Sequence, residues 1–148
     1  MTAASTIHAT AVLVGARAVL IRGEPGSGKS RLALRLLETA GREFPFVRLV
    51  GDDRVYLEGR AGRLVARPPQ ELAGLLEIRG TGIVRVPFEA AAVVGLVVDL
   101  GQPIDRMPAA EGRKTVVQGV TLPRLAVPPG ADPLPLAVAV GLGRFGLI

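Results

Sequence analysis

Eight consecutive residues, Gly23-Glu24-Pro25-Gly26-Ser27-Gly28-Lys29-Ser30, fit the pattern G-x-x-x-x-G-K-[ST]. Their chemistry is that of a phosphate-binding loop. The first turn of a helix carries N–H groups with no internal partner, and its dipole favours anions. Glycines let further N–H groups approach a phosphate with no Cβ in the way. Lys29 supplies a point charge for β- and γ-phosphates, and the Ser30 hydroxyl an oxygen for Mg²⁺. The flanks agree with this reading: residues 17–22, Arg-Ala-Val-Leu-Ile-Arg, are a short apolar run of strand type, and residues 31–38 are rich in helix formers.

Other residues with chemical potential follow the loop. Asp52 and Asp53 close an apolar run at residues 46–50. An apolar strand ending in acids is where phosphoryl-transfer enzymes of this loop class place a metal-binding or water-orienting carboxylate, although an Asp-rich turn has the same composition. The stretch Leu75-Leu76-Glu77-Ile78-Arg79-Gly80-Thr81-Gly82-Ile83 sets an acid, a base and two glycines between apolar residues. Glycines there point to close backbone approach. Glu77 and Arg79 are two apart and share a face if extended; a surface ion pair would look the same and contribute little. Asp105-Arg106 sits in a Pro- and charge-bearing loop at residues 102–113, and His8, the single histidine, stands at the start of an apolar run.

The elements that must position these groups read as follows. Residues 9–14 and 17–22 form a hairpin through Gly15-Ala16, its second strand feeding the loop. A helix covers about residues 29–39, with Leu32, Leu36, Ala33 and Leu37 as its apolar face. Residues 46–50 are a strand, and residues 55–58 and 64–66 a second hairpin. Residues 70–76 are one or two helical turns. Residues 93–100 are a buried strand, and 116–122 and 125–127 are short strands. Many strands and few helices do not fit a regular βαβ array. The expected class is α/β, a mixed, strand-rich P-loop domain.

Composition bounds the rest. At 148 residues, 49% hydrophobic and 21% charged, a single globular domain spanning residues 1–148 is expected. There is no cysteine for a disulfide framework or thiolate metal site. The apolar run at residues 90–98 is too short to span a bilayer, and the N-terminus shows no basic region leading into an apolar core. No membrane partner is therefore expected, and the cytoplasm is the expected location. The net charge of +5 could suit nucleic acid, but all but two of the 18 basic residues are arginines spread along the chain, and aromatics reach only 3%. Base-stacking surface is scarce, so no nucleic-acid partner is expected.

In their order along the chain, His8, the loop, Asp52-Asp53-Arg54-Val55, the Glu-Ile-Arg-Gly-x-Gly-Ile segment at residues 77–83 and Asp105-Arg106 resemble the HPr kinase/phosphorylase family, from about residue 5 to residue 143. The 77–83 segment is far more specific than the loop. The resemblance implies a fold like the nucleotide-binding part of phosphoenolpyruvate carboxykinase. It implies ATP- and Mg²⁺-dependent transfer of phosphate to a serine of HPr or an HPr-like phosphocarrier of the sugar phosphotransferase system. It also implies a reverse phosphorolysis and a homo-oligomer, commonly a hexamer. By the same resemblance Ser30 and Glu77, with Asp53, hold Mg²⁺ and Lys29 neutralises the transferred group. One of Asp52 and Asp53 takes the serine proton, Asp53 being favoured, while the other orients it or helps with the metal. His8 supports that pair, Arg79 orders the Glu77 segment, and Arg106 stabilises charge on the moving phosphoryl group.

The chain also departs from the family pattern. Longer relatives carry an N-terminal domain, which is expected to be absent here, as in short alphaproteobacterial forms. Residues 127–133, Val-Pro-Pro-Gly-Ala-Asp-Pro, hold no basic residue where relatives carry a basic loop tied to dephosphorylation. The C-terminus ends soon after the last apolar run, where relatives have helices that contact the protein substrate and neighbouring subunits. The competing expectation is a nucleotide-sensing regulator with weak or no transfer.

Overall fold

The longest strand is built from Ala-Val-Val-Gly-Leu-Val-Val-Asp-Leu, a β-branched run that suits a strand covered on both faces. In the computed structural model, which describes residues 5–102 and 110–136, this run is β9 (Ala92–Leu100), and the rest of the sheet assembles on it. The other strands are β1 (Ser5–Ile7), β2 (Thr10–Val14), β3 (Arg17–Arg22), β4 (Val47–Gly51), β5 (Val55–Arg60), β6 (Arg63–Arg67), β7 (Leu75–Ile78), β8 (Gly82–Arg85), β10 (Lys114–Val117) and β11 (Val120–Val127). The helices are α1 (Lys29–Glu38) and the single turn α2 (Pro133–Leu136).

One edge of β9 pairs in parallel with β3. The other edge pairs first with β6, antiparallel at Ala92 and Val93, and then with β11, parallel from Val97 to Leu100. The sheet thus follows the order β1-β5-β6-β9-β3-β2-β4, with the β10–β11 hairpin branching from β9. Because β6 and β11 share one edge, the β6–β5–β1 arm turns away from the main sheet and the whole curls.

The curl creates two cores. Ala18 and Leu20 of β3 join Leu57, Leu64, Val97 and Leu122 inside it. Val19 and Ile21, one residue out of phase, face Leu32, Ala33 and Leu36 of α1, the strand and helix periods meeting along one seam. A bulge opposite Ala18–Val19 resets the phase of β9, so that Val94 and Val97 face one core and Leu96 and Val98 the other.

The mixed, strand-rich α/β class, the first two hairpins and the strand at β9 are as the sequence indicates. Several elements differ. Residues 70–76 are not helical throughout: a 3₁₀ turn covers Gln70–Leu72, and Leu75 onward is β7, paired with β8 across the Arg79–Gly80 turn. Positive-φ glycines at 74 and 80 set both boundaries. Residues 116–122 are not one strand, since Gln118-Gly119 folds them into the β10–β11 hairpin. β1 is added on the outer edge of β5.

Gly59 shows how tightly the arms are folded together. A Cβ there would lie 2.3 Å from the Gln118 carbonyl oxygen, which is rigid turn backbone. Gly59→Ala is therefore expected to cost about 1–3 kcal/mol as an overpacked contact, read as a lowered denaturation midpoint. A change below about 0.5 kcal/mol would show that the two arms do not pack this closely.

Candidate functional site

β3 and β9 are parallel, β9 and β11 are parallel, and β4 shares their direction because β2 lies antiparallel between it and β3. The carboxyl ends of four strands therefore reach one rim of the sheet. Ligand clefts in α/β sheets form at such a rim. It carries, strand by strand, Asp52-Asp53 after β4, the glycine loop after β3, Asp99 near the end of β9, and Pro128 after β11.

The loop enters α1 through Gly28, whose φ of 101° disfavours any side chain, and Gly26 has φ 81°. A Cβ at either position would meet nothing within 4 Å, so both face open space. Lys29 is buried, and its Nζ donates to the carbonyls of Gly23 at 3.0 Å and Glu24 at 3.3 Å. An ammonium has three donors, so one remains for an anion in the loop. Ser27 has a buried Oγ with no hydrogen-bond partner among the described residues. An unpaired buried hydroxyl costs about 1–3 kcal/mol and calls for a polar ligand.

Asp52 is the hub of the β4 side. Its Oδ1 accepts from the Ser30 hydroxyl at 2.6 Å and from the Thr10 hydroxyl at 3.0 Å, and its Oδ2 accepts from the Glu77 N–H at 3.1 Å. Thr10 Oγ1 in turn accepts from the Asp53 N–H at 3.2 Å. Loop, strand β2, the aspartate pair and the β7–β8 hairpin are thus tied together. Asp53 faces outward, 65% exposed, with its Oδ1 3.8 Å from Nδ1 of His8. Its φ of 66° turns it away from its neighbour; aspartate tolerates this region better than most residues.

The structure therefore brings together Gly23, Glu24, Pro25, Gly26, Ser27, Gly28, Lys29, Ser30, Asp52, Asp53, His8 and the backbone of Glu77. The Glu77 side chain is exposed. Arg79 is exposed in the turn after β7 and does not continue the Glu77 strand. Arg106 lies outside the described residues. The Ser30 hydroxyl and the Asp52 carboxylate are an all-oxygen pair at the loop, which suits a hard cation keeping most of its waters and the oxygens of its substrate. Among the described residues no three His, Cys, Asp or Glu side chains form a metal cluster.

Two features were missed in the sequence. Thr10, fully buried, lies inside the apolar run at residues 9–14, where its type gives no sign of a role. Asp99 is also buried, and its carboxylate takes Arg22 Nε at 2.7 Å and Nη2 at 2.8 Å as well as Arg124 Nε. Burial alone would raise the Asp99 carboxyl, but the hydrogen bonds and charges of Arg22 and Arg124 outweigh it and hold it below the ordinary range. The Arg22 guanidinium is raised, chiefly by its hydrogen bond to Asp99. An acid closing a buried apolar strand was the available signal, since such a charge requires a cation.

Fold and rim define a class: a strand-rich α/β domain with a glycine loop opening a helix beside a pair of aspartates. Comparison with known proteins makes this specific. Residues 1–131 match the family model described as HPr Serine kinase C-terminal domain, and the chain belongs to that family. It is 34% identical over 136 residues to an HPr kinase/phosphorylase of Limosilactobacillus reuteri, covering 83% of this chain and 40% of that protein. It is 40% identical over 81 residues to one of Clostridium tetani, covering 55% of this chain and 25% of that protein. It therefore spans well under half the length of these curated relatives. The solved structure of the Hpr(Ser) kinase/phosphatase from Coxiella burnetii superposes with a TM-score of 0.75 at 26% identity, over 95% of this chain and 90% of that one. No helix among the described residues is long and apolar enough to cross a membrane.

Proposed function

We propose that this chain is a single catalytic domain that transfers phosphate from ATP to a serine of HPr or an HPr-like phosphocarrier in the cytoplasm. The observation that carries this reading is the division of labour between the two aspartates. Asp52 accepts from three donors and positions Ser30, whereas Asp53 is exposed to solvent beside His8 and accepts from none of them. A nucleotide binder that transfers nothing has no use for a free carboxylate at this point.

In this reading the N–H groups of residues 23–30 hold the phosphates, as in P-loop domains related to the phosphoenolpyruvate carboxykinase fold, with the spare Lys29 donor on the transferred group. Asp53 accepts the proton of the acceptor serine as its oxygen bonds to phosphorus and the bridging oxygen of the donor leaves. His8, 3.8 Å away, supports the charge balance of that carboxylate. Mg²⁺, when bound, neutralises charge on the phosphate oxygens. Ser30 and Glu77 are proposed to hold it together with Asp52, which takes the metal place first given to Asp53 because it meets the Ser30 hydroxyl. Arg106 is proposed to stabilise the moving phosphoryl group and Arg79 to order the segment bearing Glu77. Reverse phosphorolysis and a hexamer, as in the family, remain part of this proposal.

The test is transfer of label from γ-labelled ATP with Mg²⁺ to the HPr-like carrier of the same organism, with a carrier lacking its acceptor serine as control. Label on the intact carrier alone is expected, and Lys29→Ala should remove it and weaken ATP binding. ATP binding with no label on any carrier would overturn the kinase reading in favour of a nucleotide-sensing regulator.

A further inference from the structure

The glycine loop separates two unlike regions of the rim. On the β2–β4 side are Ser30, Asp52, Asp53 and His8. On the β9–β11 side is a cleft of about 250 Å³. It begins at Gly26 and Ser27 of the loop itself, and its walls include Leu100, Val127, Pro128 and Pro129. Among the described residues no charged side chain lines it. A second cleft of about 370 Å³ continues it beneath the loop, sharing Ser27, Leu100 and Gly101 and adding Arg22, Glu24 and Asp99. Ser27 thus lines both, its hydroxyl buried and without a partner among the described residues.

We infer that the apolar cleft is the nucleobase slot, so that the nucleotide lies across the rim with its base on the β11 side and its γ-phosphate toward Asp53. This rests on the phosphate-loop reading proposed above and adds the place of the base and the way it is selected. The cleft shares residues with the loop, so a group in it is within covalent reach of phosphates in the loop. Small polar acceptors have no reason to enter walls of leucine, valine and proline, whereas a flat heterocycle buries its faces there. The remaining requirement is a preformed wall. The Pro-rich stretch meets it: Asp132 pairs with Arg35 of α1 and accepts the Leu134 N–H at 3.2 Å, and proline has little backbone freedom to lose. Residues 127–133 thus have a role of their own. Selection follows from the same chemistry. Among the described lining residues only Ser27 has a polar side chain, and it sits at the loop end. Apolar walls discriminate weakly, whereas sites built to hydrogen-bond a base edge discriminate strongly.

The experiment is calorimetric titration of the whole chain with ADP, GDP and inorganic pyrophosphate, for wild type, Ala131→Phe and Pro129→Gly. Ala131 lines the cleft, and Phe there fills it; Pro129→Gly loosens the wall without filling it and covers the case in which the larger variant does not fold. ADP affinity is expected to fall about tenfold or more with Ala131→Phe and about threefold with Pro129→Gly, with pyrophosphate unchanged within about twofold. ADP and GDP should bind wild type within about fivefold of each other. Undiminished ADP binding in folded Ala131→Phe, or a base preference above about fiftyfold, would overturn the slot while leaving the loop reading intact. Failure of pyrophosphate and ADP alike to bind wild type would overturn the loop reading and the slot with it.

Discussion

Asp53→Asn should lower phosphoryl transfer by about 10²–10⁴-fold, the usual contribution of a general base, and leave ADP affinity within about twofold. Asparagine keeps the volume and tolerates φ 66°, so the backbone of the turn has no reason to move. What is lost is the basic oxygen. Asp52→Asn should behave differently. The Asp52 carboxylate accepts from Ser30, Thr10 and the Glu77 N–H, and an amide in its place must set its NH₂ either against the Glu77 N–H, which can only donate, or against hydroxyls that must then turn to accept. The strands and loop it ties together should loosen, and nucleotide affinity should fall along with transfer. Measuring ADP affinity and single-turnover transfer for both variants separates the roles. Asp53→Asn retaining more than a tenth of wild-type transfer would show that Asp53 is not the base.

The contrast between these two aspartates also shows what the sequence could carry. The loop, the acid pair and the Glu77 segment were legible because each is a local pattern with its chemistry written in residue type. The assignment of work within the acid pair was not. It depends on Thr10, 42 positions from Asp52, and on the β2–β4 pairing that brings Ala11 beside Gly51. The same limit hid the β7–β8 hairpin: Gly80-Thr81-Gly82 signals a turn, but the 3₁₀ turn before it mimicked a longer helix. Asp99 was visible as the end of an apolar run, while its partners Arg22 and Arg124 are 77 and 25 positions away. Arginines spread evenly along a sequence give no sign of which two will meet one acid.

Asp99→Ala is expected to be the most destabilising single change at the rim, by about 3–5 kcal/mol, the range for breaking a buried ion pair by removing one partner. It leaves Arg22 and Arg124 side by side with no anion between them. The strand ends they hold are those on which the loop is mounted, since Arg22 immediately precedes Gly23 and Arg124 also donates to the Gly112 carbonyl at 2.9 Å. Replacing all three at once, Arg22→Leu with Asp99→Leu and Arg124→Met, should recover most of the loss, because an apolar set of similar volume has no charge to desolvate. The pH dependence has a definite sign. Arg22 and Arg124 hold the Asp99 carboxyl below its unfolded value, which is about 3.9. Its contribution is therefore fully present above that value and is lost as pH falls through the lower folded one. Denaturant midpoints of wild type and Asp99→Asn should differ by a constant amount from neutral pH to about pH 5 and converge below about pH 4. A gap that stays constant through the acid range would mean that the stability of the rim does not depend on the Asp99 charge.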